Sequence, residues 1–108
     1  MYWGAGWVAT HAGFDPLTWE PRLNIRMPFW QAYDGRFGEV VVGHTPGPEV
    51  RRIGQIVLVD TGACYGGHLS AYCPETGEVR QTPGLRSWGT TEFRSLAERA
   101  LLLERCAI

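Results

Sequence analysis

The sequence predicts an α+β fold: a mainly antiparallel sheet of four or five short strands plus a C-terminal amphipathic helix. Three observations predict it. Gly and Pro number 14 and 7 of 108 residues and cluster between short apolar runs, which is how short strands joined by turns are punctuated. Residues 39–43 and 55–60 are almost wholly apolar and rich in valine, as strands covered on both faces are. After Pro83-Gly84 the apolar residues recur at helical spacing.

The elements follow in order. Residues 6–11, GWVATH, read as a short strand stopped by Ala12-Gly13. Residues 14–38 read as irregular, because Pro16, Pro21 and Pro28 exclude a long helix. One helical turn over 16–20 fits Asp15-Pro16 as an N-cap and first-turn pair. Trp19, Phe29, Trp30 and Tyr33 predict that this segment packs down. Residues 39–43 are a central strand, 45–49 a tight loop and 55–60 a second apolar strand. Residues 68–73 alternate in polarity, and the turn PETG leads into 78–81 as the second arm of a hairpin. Over 90–106, Phe93, Leu96, Ala97, Ala100 and Leu101 form one helical stripe, with Thr90 or Thr91 as N-cap. That stripe packs on the sheet or docks onto another surface.

The chain is long enough for one small domain. Ten basic and 11 acidic residues give a net charge of -1 and are spread along the sequence, so no dense basic patch marks a nucleic-acid partner. No apolar run approaches the roughly 20 residues of a membrane span, and the first residues lack the pattern of a signal peptide. Cys64, Cys73 and Cys106 are odd in number and form no CxxC. They predict reduced thiols and a cytoplasmic setting.

Two histidines stand where a strand gives way to a Gly or Pro loop: His11 in THAGFDP and His44 in VVVGHTPGPEV. Small neighbours let a ligand approach the backbone, and neutral imidazole is a common ligand for divalent metals. A lone strand-end histidine is more often a satisfied structural residue. Two alone make a weak metal site, since catalytic metals usually have three protein ligands.

THAGFDP, VVVGHTPGPEV and IVLVDTGACYGGHLSAYCPETGEV, in that order, resemble the C-terminal half of the calcineurin-like metallophosphoesterases. The branch resembled includes bacterial serine/threonine protein phosphatases and symmetrical bis(5'-nucleosyl)-tetraphosphatases. The resemblance covers about residues 6–80. It implies a hydrolase of phosphate monoesters or dinucleoside polyphosphates, built on half of a β-sandwich. It implies that His11 and His44 are ligands of one metal of a dinuclear pair, with manganese the expected ion. Arg26, in NIRMPF, matches a segment whose arginine grips a substrate phosphate, although Asn24 replaces that segment's Trp. Tyr65 matches an aromatic position beside the family's site. Asp60 and Gly62 are read as shaping the corner, and His68 as exposed.

The family's N-terminal motifs, GDxHG, GDxxDRG and GNHE, are absent, and only ten residues precede His11. They would supply the bridging Asp, the second metal's ligands and the catalytic His, so no catalytic residue is assigned. The expectation is a partial domain spanning 1–108 that is inactive alone and binds at most one metal, weakly. Either the true start lies upstream, the gene is truncated, or a partner supplies the rest. The phosphoester substrate is then a partner only of the completed fold. The alternative is a non-catalytic remnant that binds protein, with self-association through an exposed sheet.

Overall fold

The computed structural model describes residues 1–84. The helix expected over 90–106 lies outside the described residues. Within them the fold is mainly β. The strands are β1 (Tyr2–Gly4), β2 (Trp7–Thr10), β3 (Gly13–Phe14), β4 (Pro21–Arg22), β5 (Glu39–Val42), β6 (Arg51–Ile53), β7 (Ile56–Leu58), β8 (His68–Tyr72) and β9 (Val79–Pro83). One short helix, α1, spans Met27–Ala32, and a 3-10 turn spans Ala63–Tyr65.

The main sheet has the order β1-β2-β5-β7-β6. Its centre is parallel: β2 pairs with β5, and β5 with β7. Antiparallel β1 and β6 flank it. The expectation of a mainly antiparallel sheet holds for four of the six pairings, and the parallel centre departs from it. The reason lies in the connections. The 28 or so residues between β2 and β5 carry the chain back across the sheet, which a parallel pair requires. β3 pairs with β4, and β8 with β9, as separate antiparallel pairs.

Val8, Val40, Val42, Ile56 and Leu58 form one face of the sheet and are buried against Phe14 and Phe29. Trp19, Ile25, Trp30, Tyr33 and Phe37 close the edges of this core. The segment expected to be irregular therefore supplies the second layer. Pro28 lies in the first turn of α1, where its missing N–H costs nothing. Asp15 caps a single turn: its carboxylate accepts from the amides of Leu17 (2.8 Å) and Thr18 (3.2 Å). On the opposite face, Val41 and Val57 are also buried. There Tyr72 of β8 donates its hydroxyl to Glu39 (2.7 Å) and accepts from Arg52 (2.9 Å), tying the β8–β9 hairpin to the sheet.

Four short strands escaped the sequence reading, among them β3 and β4 in and beside the segment read as irregular. β1 is three residues long, and β6 begins with two arginines. The β6–β7 hairpin turns through Gly54-Gln55, with Gly54 at φ 57°, a two-residue Gly-X turn that was legible. Cys73 is a free thiol.

Candidate functional site

β2 and β5 run parallel with Thr10 opposite Val42, so both chains leave the sheet at the same end. His11 follows β2 directly, and His44 follows β5 after Gly43. The Gly43 amide donates to the His11 carbonyl (2.9 Å), extending the ladder one step beyond the strands. The two rings then meet, with His11 Nε2 3.1 Å from His44 Nδ1. One ring donates and the other accepts, so the contact needs one N–H and one lone pair. The carboxyl ends of parallel strands are where open sheets of this kind hold ligands.

The backbone at His44 is unusual. Its φ is 65°, and the Thr45 amide donates to the Gly43 carbonyl across it at 2.7 Å. This is a γ-turn with positive φ, a rare and strained conformation. It swings the imidazole back toward His11. Gly13 performs a second local task. Its φ is 144°, and a Cβ there would overlap the Phe29 ring, so the HAG stretch needs glycine for both torsion and space.

Arg26 caps α1 at the far end of the connecting segment, and its Nε donates to Thr45 Oγ1 at 2.9 Å. Arg51, at the start of β6, donates through Nη2 to the Thr45 carbonyl at 3.0 Å. Four of the six described arginines pair with carboxylates: Arg22 with Asp15, Arg36 with Asp34, Arg52 with Glu39, Arg80 with Glu78. Arg26 and Arg51 have no such pairing among the described residues. Both cations without an acid converge on Thr45, the residue after His44.

The structure thus brings His11, His44 and Arg26 to one end of the sheet. Tyr65 lies in the 3-10 turn beyond Asp60. Asp60 also sits at this end, after β7, but its carboxylate accepts from the Gly62 amide (3.0 Å) and its carbonyl from the Gly47 amide (3.0 Å). It shapes the corner. His68 is exposed on β8. Arg51 was not singled out in the sequence. Only its charge and its place seven residues after His44 were visible there, and neither marks a contact.

Two imidazole nitrogens on one ion at about 2.1 Å stand roughly 3.0 to 3.4 Å apart, from right-angled to tetrahedral geometry. The observed 3.1 Å fits one edge of such a shell. Among the described residues, no group of three or more His, Cys, Asp or Glu could hold a metal ion. The pair therefore fits part of a metal site and not a whole one.

No family model matches the chain. It is 34% identical over 93 residues to the bis(5'-nucleosyl)-tetraphosphatase PrpE [asymmetrical] of Bacillus cereus strain B4264, a match covering 83% of this chain and 37% of that protein. The protein of the same name from Bacillus subtilis strain 168 is 31% identical over 72 residues, covering 67% of this chain and 29% of its own length. The similarity is distant and partial. The chain spans little more than a third of the length of the relatives it matches. Their names specify the asymmetrical activity of those proteins, whereas the resemblance read from the motifs named symmetrical tetraphosphatases.

Proposed function

We propose that this chain is part of a metal-dependent phosphoesterase acting on dinucleoside tetraphosphates, with His11 and His44 holding one edge of a metal's coordination shell. One observation carries the reading: two imidazole nitrogens 3.1 Å apart, beside the two described arginines that have no carboxylate partner. Two arginines that pair with no carboxylate among the described residues suit a phosphate. Arg26 is the proposed phosphate contact. Its Nε is committed to Thr45, which leaves the Nη edge of its fork to face two phosphate oxygens. Tyr65 is a proposed substrate neighbour. A bound ion would supply Lewis acidity toward the phosphoryl group. His11 and His44 would offer lone pairs to it, which requires the proton between them to move to the outer nitrogen of one ring.

The similarity to named tetraphosphatases supports the substrate class. The test is to join the chain to the portion of the Bacillus cereus protein that the match leaves uncovered, then assay diadenosine tetraphosphate with manganese. The expected result is manganese-dependent hydrolysis, lost in His11→Ala and His44→Ala. A folded fusion without turnover would sink the reading.

The protein-binding alternative draws on β1. This is an edge strand of the main sheet, and it exposes Tyr2 (65%) and Trp3 (52%). An apolar edge pairs readily with another chain. On that reading the 108-residue chain is oligomeric, and Trp3→Lys returns it to a monomer by light scattering. A wild-type monomer would count against it.

A further inference from the structure

We propose that Arg51 is a positioning residue for Arg26, acting through Thr45. The inference rests on the phosphate-binding reading of Arg26 above.

Thr45 is held from two sides. Arg51 Nη2 donates to its carbonyl (3.0 Å), and its hydroxyl accepts from Arg26 Nε (2.9 Å). The Arg51 side chain is half-buried beneath the 45–48 loop. A Cβ on Gly47 would lie 2.6 Å from Arg51 Cζ, so the loop backbone rests directly on the guanidinium. Arg51 Nε is buried with no hydrogen-bond partner among the described residues. A buried donor left unmade is costly, so this guanidinium is poorly placed for its own sake and well placed for the loop.

The consequences reach Arg26. That side chain is exposed, and a free arginine would sample many rotamers. Among the described residues, its side-chain hydrogen bond is to the Thr45 hydroxyl. The hydroxyl is only as fixed as the backbone that carries it, and that backbone is a strained γ-turn. Arg51 braces the carbonyl side of this turn. It therefore sets where the Arg26 fork points without touching the substrate itself. Arg26 is ordered by contacts in place before a phosphate arrives, which lowers the entropy lost on binding.

The test uses the 108-residue chain with inorganic phosphate as probe, followed by phosphorus NMR titration, and reads the Arg26 Nε–H resonance by proton–nitrogen NMR. In the wild type that resonance is expected to be sharp and protected from exchange. Arg51→Met and Thr45→Val should each broaden it. Each should weaken phosphate binding by about tenfold, the value of one such hydrogen bond. Arg51→Lys should recover part of the loss, because an ammonium can still donate to the carbonyl. Arg26→Met combined with Arg51→Met should bind no more weakly than Arg26→Met alone. A protected Nε–H that survives in folded Arg51→Met overturns the proposal. So do additive losses in the double variant, which would make Arg51 an independent ligand. If Arg51→Met fails to fold, an unchanged Nε–H in Thr45→Val overturns it equally. A wild type whose Nε–H depends on Arg51 but which binds no phosphate supports the bracing and removes the phosphate reading instead.

Discussion

His44 has φ 65°, a conformation that costs a residue bearing a Cβ on the order of 1 kcal/mol. The ring contact with His11 depends on it. His44→Ala keeps the strain and loses the ring, whereas His44→Gly loses both. The glycine variant should therefore be more stable than the alanine variant by about 1 kcal/mol in urea denaturation, and on the proposed metal reading neither should bind manganese. Equal stabilities would mean the turn is not strained. Asp15 gives a prediction in pH. The amides of Leu17 and Thr18 and the Arg22 guanidinium favour its carboxylate, with the Leu17 amide the largest influence, and hold its pKa below the ordinary 3.8. A lowered pKa stabilises the fold above the unfolded value and ceases to do so as pH falls through the folded one. The 15–20 turn should thus loosen only below pH 3.8. The Leu17 amide shift, followed against pH, reports it; a midpoint at or above that value contradicts the cap.

At the scale of elements, the β8–β9 hairpin is fastened to the sheet by a polar triad. Tyr72 bonds both Glu39 and Arg52, and Arg52 pairs with Glu39 at 2.9 Å. Burial, then the Glu39 hydrogen bond, pushes the Tyr72 hydroxyl above its ordinary pKa, in keeping with a hydroxyl that donates to a carboxylate. Tyr72→Phe should cost about 1 kcal/mol and raise amide exchange in β8 and β9 more than in β5. Exchange rising equally everywhere would show that the hairpin does not open as a unit. The HAG stretch is constrained differently. Gly13→Ala adds a Cβ at φ 144° against the Phe29 ring, and should cost about 2 kcal/mol or more while displacing His11 from His44. An alanine variant of wild-type stability would refute the packing argument.

For the molecule as a whole, one aromatic joins the two layers. Phe29 is fully buried and packs edge-on to Phe14 (5.9 Å between centroids) over the valine face of the sheet. Phe29→Ala should cost about 3 to 5 kcal/mol. A small domain is stable by only about 5 to 15 kcal/mol, so most of the margin would vanish and the Trp fluorescence transition would shift far toward low urea. The sheet's parallel centre has the larger functional consequence. Had β2 and β5 been antiparallel, His11 and His44 would lie at opposite ends of the sheet. The orientation that the fold expectation missed is the one that lets the two rings meet.

Much was legible before any fold. The two apolar strands, the 16–20 turn under Asp15 and the PETG hairpin all follow from local rules of periodicity, capping and turn chemistry, which act within a few residues. His11 and His44 were legible as candidates because their flanking Gly and Pro patterns are local as well, and Arg26 only through the family resemblance of NIRMPF. Strand direction was not legible. It is fixed by how a long connection packs, and Pro28 looked like a breaker until α1 placed it in a first turn. Arg51 was invisible for the same reason: its contacts with Thr45 and Gly47 cross from β6 to the loop after β5. The sequence by itself determined β2, β5, β7 and the β8–β9 hairpin, and which side chains are candidates for chemistry. The tertiary structure alone decided which strand ends share one side of the sheet, because that depends on burying Phe14 and Phe29 against its valines, a free energy belonging to the whole core and to no single stretch of chain.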